Sequence, residues 1–433
     1  MSSIRLRVAL LASLLLQPIC SFGQDLLDIY HLAANTDPVF MAANSQINAD
    51  KEHWHLALAD MIPNVISSGN YKTVNNKALY ADGSFDQYNG TITATQMLFS
   101  APKINHFQQS RLVNKRIVAA HSVAEQSLLF RVTDRYFAIL KAADAVTFSE
   151  QRKIAFSKQW QQSQERYKVG VSPVTDVHEA KARLDNAVAE AITASNTLHA
   201  RYQQLAELTG EPVSAINPLA NKPNLKNYVL EEVSAYEALA QTQNPALQQA
   251  ELNTKIARKK VWEKRGEHLP TLDAFATATY DKTAAPDSEH QKARVVGLKA
   301  SMDIFSGGKT SAATRQTHAM YQEEKANTRK VYLETMSDLR QAYYAVHNHV
   351  AKVHALEQAA LSSEAALTAI RASHDVGNRS ISDVLDAEAD LLQAKQDLNA
   401  AYYDLLLADL ELKQAIGKLS MADLEQINLL LRS

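Results

Sequence analysis

The chain has 433 residues, 46% hydrophobic and 21% charged, with a formal net charge of −2 at pH 7. That length suits two or three ordinary domains or one extended architecture, and the charge balance argues against a nucleic-acid binder, which should be basic. Only 12 glycines and 11 prolines interrupt the chain, which favours long helices.

Residues 1–23 read as an export signal. Arg5 and Arg7 supply a positive start, Val8–Leu16 is an apolar run too short to span a bilayer, and Ser21 and Gly23 put small residues before a cleavage site after Gly23. An ordinary N-terminal helix is the alternative. The single cysteine, Cys20, lies in this segment, so the exported chain would use no disulfide. Loss of Arg5 and Arg7 would take the formal charge to −4. No later apolar run is long enough for a transmembrane helix, so any crossing of a membrane would be a closed β-barrel.

A helix is expected from about Leu26 to Met61, stopped by Pro63. Two strand-like segments follow, 64–74 and 87–99, around the polar loop NNKALYADGSFD. Each is about ten residues long, rich in Thr, Ala, Tyr and Val, and weakly alternating, as a transmembrane strand requires. A small soluble sheet fits the same pattern locally. Ser100 and Pro102 then start a helix that meets no glycine or proline until Lys168. Its 67 residues at ~1.5 Å each would reach ~100 Å, a length that calls for a coiled coil or bundle. After a turn at Gly170, the last helix carries Val177, Leu184, Ala191, Leu198 and Leu205 seven residues apart, with Ala180, Ala187 and Ala194 three positions on.

The chain then repeats itself. Pro38 and Pro245, Pro63 and Pro270, Gly170 and Gly377, Asp176 and Asp383, and Gly210 and Gly417 are all 207 residues apart. Phe99 and Phe305 match with one compensated gap. The organisation is therefore a first copy at 24–210, an irregular joint at 211–231 marked by Pro212, Pro218 and Pro223, a second copy at 232–417 and a tail at 418–433. The second copy predicts a helix over 233–268, strands at 271–281 and 292–305 around KTAAPDSEHQ, and a long helix at 309–376. A last helix has Val384, Leu391, Leu398, Leu405 and Leu412 followed at three residues by Ala387, Ala394, Ala401, Ala408 and Ala415. Such heptads supercoil left-handedly, and alanine lets neighbouring backbones approach. By themselves they read first as a soluble antiparallel coiled coil.

Catalytic motifs are weak. Gly307–Thr310 lacks the glycine five residues before Gly308 that a phosphate loop needs, because Asp303 stands there. The glycines read better as a strand-to-helix turn. His53 with His55, and His347 with His349, have a spacing that puts the two rings on different faces of a helix. No cofactor is expected, and neither catalytic nor metal-ligating residues are assigned.

The turns carry the most specific pattern. RYKVGVSPVTDV ends the first long helix and HDVGNRSISDVLDA ends the second. Ser380 is a good N-cap and Asp383 falls at its N3 position, so the residues alone read as a capping box. Asp386 and Arg379 alone read as exposed helix and turn residues. With the export signal, the duplicated helix–strand–strand–helix–helix unit and the matched prolines of the two copies (Pro38 with Pro245, Pro63 with Pro270), these stretches make the chain resemble the TolC family of outer-membrane efflux and secretion channels. The resemblance covers about residues 25–425.

The resemblance implies a mainly α fold with membrane β: a homotrimer in which each chain gives four strands to one 12-stranded β-barrel, continued by a long α-helical coiled-coil tunnel. It implies a passive exit duct in the outer membrane of a Gram-negative bacterium, conducting drugs or secreted proteins. The implied partners are outer-membrane lipid, a periplasmic adaptor contacting the tips at Val169, Gly170, Val376 and Gly377, and an inner-membrane transporter of RND, ABC or MFS type. Asp383 and Asp386 align with stacked acidic rings at the aperture, and Arg379, Asp176 and Thr175 with a clamp that holds it closed. His374 stands where the family has a tyrosine, and a histidine there would make that contact pH-sensitive. A helical scaffold whose heptads serve only assembly is the competing reading; an enzyme is the third.

Overall fold

The computed structural model describes residues 23–75, 84–284 and 290–431. The predicted export signal, Cys20 included, lies outside the described residues apart from Gly23, as do 76–83 and 285–289 of the two polar loops. In chain order the elements are α1 Leu26–Thr36, α2 Pro38–Ala59, β1 Asn64–Asn75, β2 Ser84–Phe99, α3 Ala101–Lys168, α4 Val174–Thr209, α5 Val233–Gln243, α6 Pro245–Gly266, β3 Thr271–Thr283, β4 Gln291–Ser301, α7 Lys309–Asp375, α8 Ile381–Ile416 and α9 Met421–Asn428. None of the helices is long and apolar enough to cross a membrane.

Two expectations are corrected. The first helix of each copy is two helices, broken at Asp37 and at Asn244. Pro38 and Pro245 cause the break: proline has no N–H, and its ring keeps the preceding residue out of helical backbone. Both breaks are capped in the same way. Asp37 accepts the N–H of Phe40 at 2.8 Å, and Asn244 accepts that of Leu247 at 3.0 Å. The last strand stops at Ser301, short of Phe305. Ser301 pairs with Thr271, the first residue of β3; before it comes Pro270, which has no N–H to extend the ladder. Gly307 and Gly308, at φ 61° and 78°, then turn the chain into α7.

The described residues form two compact units. One comprises 42–124 and 241–337. Its centre is a four-stranded antiparallel sheet in the order β1-β2-β3-β4. The register sorts the side chains by face, since alternate residues of a strand point to opposite sides. Ser68, Thr91, Thr279 and Ala293 lie on one level of one face. That face also holds Asn89, which donates to Asp281, and Thr93, bonded to Thr277 at 3.2 Å. The other face carries Val65, Ile92, Ala94, Ala276, Val296 and Leu298, with the rings of Tyr71 and Tyr88 5.1 Å apart. At Gly297 a Cβ would meet the ring of its cross-strand partner Phe275 at 3.0 Å, so any larger residue there needs that ring to shift. Beside the sheet, Arg116 of α3 pairs with Asp50 of α2, and Thr254 of α6 bonds Thr328 of α7 at 2.7 Å.

The other unit comprises residues 23–41, 125–240 and 338–431 of the described chain. Leu26, Ile29 and Ala33 of α1 are fully buried, as are Leu205 of α4, Leu405 and Leu410 of α8, and Tyr136 and Phe137 of α3. The irregular joint, the tail and the N-terminal residues meet here. Gln24 bridges Ile216 and Leu219 bridges Leu431. Tyr136 donates to the carbonyl of Asn217 at 2.8 Å, and burial pushes its phenol pKa up. Burial alone would depress Lys413, but Asp409 at 2.9 Å and Asp423 at 2.8 Å raise it on balance and tie α9 to the end of α8. The α8 heptads are covered within one chain: Val384, Leu391, Leu398, Leu405 and Leu412 are all buried. On α4 the cover is partial, with Val177, Ala194 and Leu198 half-exposed.

Candidate functional site

Two turns of the same design close the long helices. Gly170 donates to Tyr167 at 2.9 Å and Val171 to Arg166 at 2.9 Å; Gly377 donates to His374 at 2.9 Å and Asn378 to Ser373 at 2.9 Å. These paired bonds make the Schellman arrangement, which needs a left-handed residue at its pivot. The two glycines supply it at φ 76° and 82°. Val169 and Val376, just before them, are 73% and 72% exposed, far more than apolar side chains need to be at a helix end.

Asp383 completes the capping box anticipated above. Its N–H donates to Ser380 Oγ at 3.2 Å, and its carboxylate accepts the Ser380 N–H at 3.0 Å. That backbone bond, with smaller help from Ser380 Oγ, Arg379 and His374, holds its pKa below the usual carboxylate value. Arg379 lies 3.9 Å from Asp383 on the same helix end.

His374 joins the two turns. Its Nδ1 lies 2.9 Å from the Arg379 carbonyl and its Nε2 lies 3.1 Å from Arg166 of α3. A carbonyl only accepts and a guanidinium only donates, so Nδ1 carries the proton and Nε2 accepts. A groove of about 950 Å³ runs beside this strap, lined in part by Gln162, Arg166, Arg371, His374, Val384 and Glu388.

Asp386 sits in a different cluster. It pairs with Arg183 of α4. Arg183 also donates to Ser382 Oγ at 3.1 Å and lies 3.6 Å from Glu179, which accepts from Ser382 at 2.7 Å. Beneath it, Leu184 and Ala187 pack with Leu385 and Phe156.

The structure thus brings Arg379, His374 and Asp383 together and sets Asp386 apart with Arg183. Thr175 and Asp176 lie in the first turn of α4, and among the described residues of one chain neither side chain makes a hydrogen bond or ion pair, with Arg379 or otherwise. Sequence reasoning missed Arg166, Glu179, Arg183 and Ser382. One signal was available: the 207-residue offset sets Arg183 against Asp390 and Glu179 against Asp386, so one copy has a cation where the other has an anion.

Comparison with known proteins agrees with this architecture. The family model for outer membrane efflux protein matches residues 29–211 and again 237–418. Outer membrane protein TolC of Vibrio cholerae is 29% identical over 94% of this chain and 94% of its own length. The alkaline protease secretion protein AprF of Pseudomonas aeruginosa is 30% identical over 94% and 87%. Among solved structures, the outer membrane protein VceC of Vibrio cholerae has a TM-score of 0.77 over 90% of this chain and 96% of that one, at 18% identity. The open state of the Neisseria gonorrhoeae MtrE outer membrane channel has 0.76 over 92% and 90%, at 16% identity.

Proposed function

Because the chain belongs to the outer membrane efflux protein family, we propose that copies of it assemble into the outlet through which an inner-membrane transporter discharges its cargo outside the cell. The protein resides in the outer membrane of a Gram-negative cell and serves there as an exit duct. One observation carries the assembly: a sheet with one apolar face, one polar face and two edges, β1 and β4. Four strands are too few to close on themselves, and an open edge is not tolerated in a bilayer. Three copies pooling twelve strands satisfy both demands, with the apolar face to lipid and the Thr- and Asn-rich face to water.

The family is one of channels, and we assign this chain no catalytic role; energy comes from an inner-membrane transporter of RND, ABC or MFS type, reached through a periplasmic adaptor. We take the copies as 24–210 and 232–417, the joint as 211–231 and the tail as 418–433, a division supported by the left-handed glycine caps at Gly210 and Gly417. The turns form the aperture, with Asp383 and Asp386 as its acidic residues, and Val169, Gly170, Val376 and Gly377 meet the adaptor. Among the described residues of one chain Thr175 and Asp176 have no side-chain partner, which supports a clamp to Arg379 of a neighbouring copy. AprF and the Dickeya chrysanthemi protein PrtF bear the names of protease secretion proteins, which favours a secreted protein as cargo alongside small-molecule efflux.

The test is fractionation and reconstitution. The protein should enter the outer-membrane fraction, run as a trimer before heating and pass ions across a planar bilayer. A monomer in mild detergent that conducts nothing would end this reading. A deletion strain assayed for drug sensitivity and for missing secreted proteins separates the two kinds of cargo.

A further inference from the structure

The pair at Asp386 is built more heavily than an exposed ion pair. Arg183 reaches from α4 to two side chains of α8, Asp386 and Ser382, and Glu179 holds Ser382 from the other side. Four polar groups thus form one closed set between two helices. The residues next to the pair in sequence are buried: Leu184 follows Arg183, Leu385 precedes Asp386, and both belong to one apolar cluster with Ala187 and Phe156. The Arg183 side chain is 31% exposed and Asp386 54%, so the fork is steadied by packing while the carboxylate still meets solvent. A guanidinium donating to a carboxylate and a hydroxyl at once is geometrically specific in a way that lysine is not.

We propose that Arg183 is a positioning and charge-setting residue of the aperture: it ties α8 to α4 and neutralises Asp386 within each chain. The proposal rests on the exit-duct reading and adds a residue to it. Its first consequence concerns selectivity. A narrow ring of uncompensated carboxylates favours cations. With Arg183 in place, Asp386 brings its own counter-charge; without it, the carboxylates of Asp386 and Glu179 stand with no cation between them. Its second consequence concerns opening. If α8 moves away from α4, the bridge to Asp386 and the bond to Ser382 break together, so Arg183 belongs to the closed state. The internal repeat does not duplicate this bridge: the position matching Arg183 is Asp390, which would repel the carboxylate it faced.

The experiment is single-channel recording of the full-length protein in planar bilayers, with conductance and the reversal potential in a salt gradient measured for each variant. Arg183→Gln should raise conductance and raise the potassium-to-chloride permeability ratio by about twofold or more, because the bridge is lost and three carboxylates per trimer lose their counter-charge. Asp386→Asn should also raise conductance but lower the ratio, since it frees the arginine. The double variant should conduct like either single variant and return the ratio to that of the unmodified channel. The exchange Arg183→Asp with Asp386→Arg should restore both low conductance and the original ratio, and it covers the case in which a single variant fails to assemble. A purely structural role would move stability without this opposite-signed pattern in permeability. Unmodified protein that forms no channel would sink the exit-duct reading. Unmodified protein that conducts, with an Arg183→Gln channel equal to it in both readouts, would sink only the role of Arg183.

Discussion

The Asp37 carboxylate is 3% exposed and takes two hydrogen bonds from Arg131, at 3.1 and 2.6 Å. Burial alone would raise its pKa, but Arg131 and the N–H groups of Phe40 and Val39 outweigh it and hold the carboxyl below the usual value. A depressed folded pKa gives stability that is present above the unfolded value near ~3.9 and is lost as pH falls through the folded one. Arg131→Met removes the cation and leaves the carboxylate buried. It should cost about 2–3 kcal/mol in denaturant unfolding followed by helical circular dichroism, the low side for a buried pair because Arg131 is partly exposed. The deficit should be largest at neutral pH and shrink towards pH ~4, where the stranded carboxyl takes up a proton. A deficit independent of pH would mean that packing, and not charge, holds this joint.

His374 belongs to the same scale and links the two turns. Its Nε2 accepts from Arg166 and its Nδ1 donates to the Arg379 carbonyl. His374→Ala removes both contacts and should raise single-channel conductance in planar bilayers. His374→Gln, which keeps a donor and an acceptor, should stay closer to the unmodified channel. Equal conductance in all three would rule His374 out as a strap between the two turns.

At the scale of elements, the turns and strand pairings set the tolerances. No atom lies within 4 Å of a Cβ built on Gly377, so substitution there meets only the backbone cost of a left-handed residue. Gly377→Ala should destabilise the turn by ~1–2 kcal/mol, seen as faster amide exchange in the first turn of α8. Gly377→Asn should lose much less, because asparagine visits this conformation readily. At Gly297 the obstacle is a ring, and Gly297→Val should displace Phe275 and reduce the heat-resistant assembled fraction. What could be read beforehand follows the same division. Proline, glycine and the seven-residue period act locally, so the repeat, the turns, the capping box and the buried α8 heptads were legible in the amino acids. The breaks at Asp37 and Asn244 were legible too but were read through, because an apolar helical pattern resumes directly after each proline. Arg166 was not legible, and for Arg183 the amino acids offered only the charge reversal against Asp390: an arginine on a helix surface does not say which neighbouring helix it will reach, and that depends on how two long helices lie side by side.

At the scale of the whole molecule, the duplication and the open sheet belong to one argument. Two copies of a helix–hairpin unit give one chain two hairpins, and β2 pairs with β3 to join them. Within one chain β1 and β4 remain the edges of the sheet, and the proposed barrel requires β4 of one copy to pair with β1 of the next. This makes a direct test possible in protein whose only natural cysteine, Cys20, lies in the predicted export signal. Cysteines are placed singly along β1 at Ile66, Ser68 and Asn70 and combined with cysteines along β4 at Gln291, Ala293 and Val295. Because β-strand neighbours sit about 5 Å apart, at least one combination should oxidise across the seam. Each chain then carries one reactive position at each edge, so the covalent ladder on a denaturing gel should run through dimer to trimer and stop there. A ladder continuing past three would change the number of copies in the ring. A chain that never cross-links in any combination, though both edges label freely with a maleimide, would mean that β1 and β4 do not meet, and the twelve-stranded barrel would be lost with them.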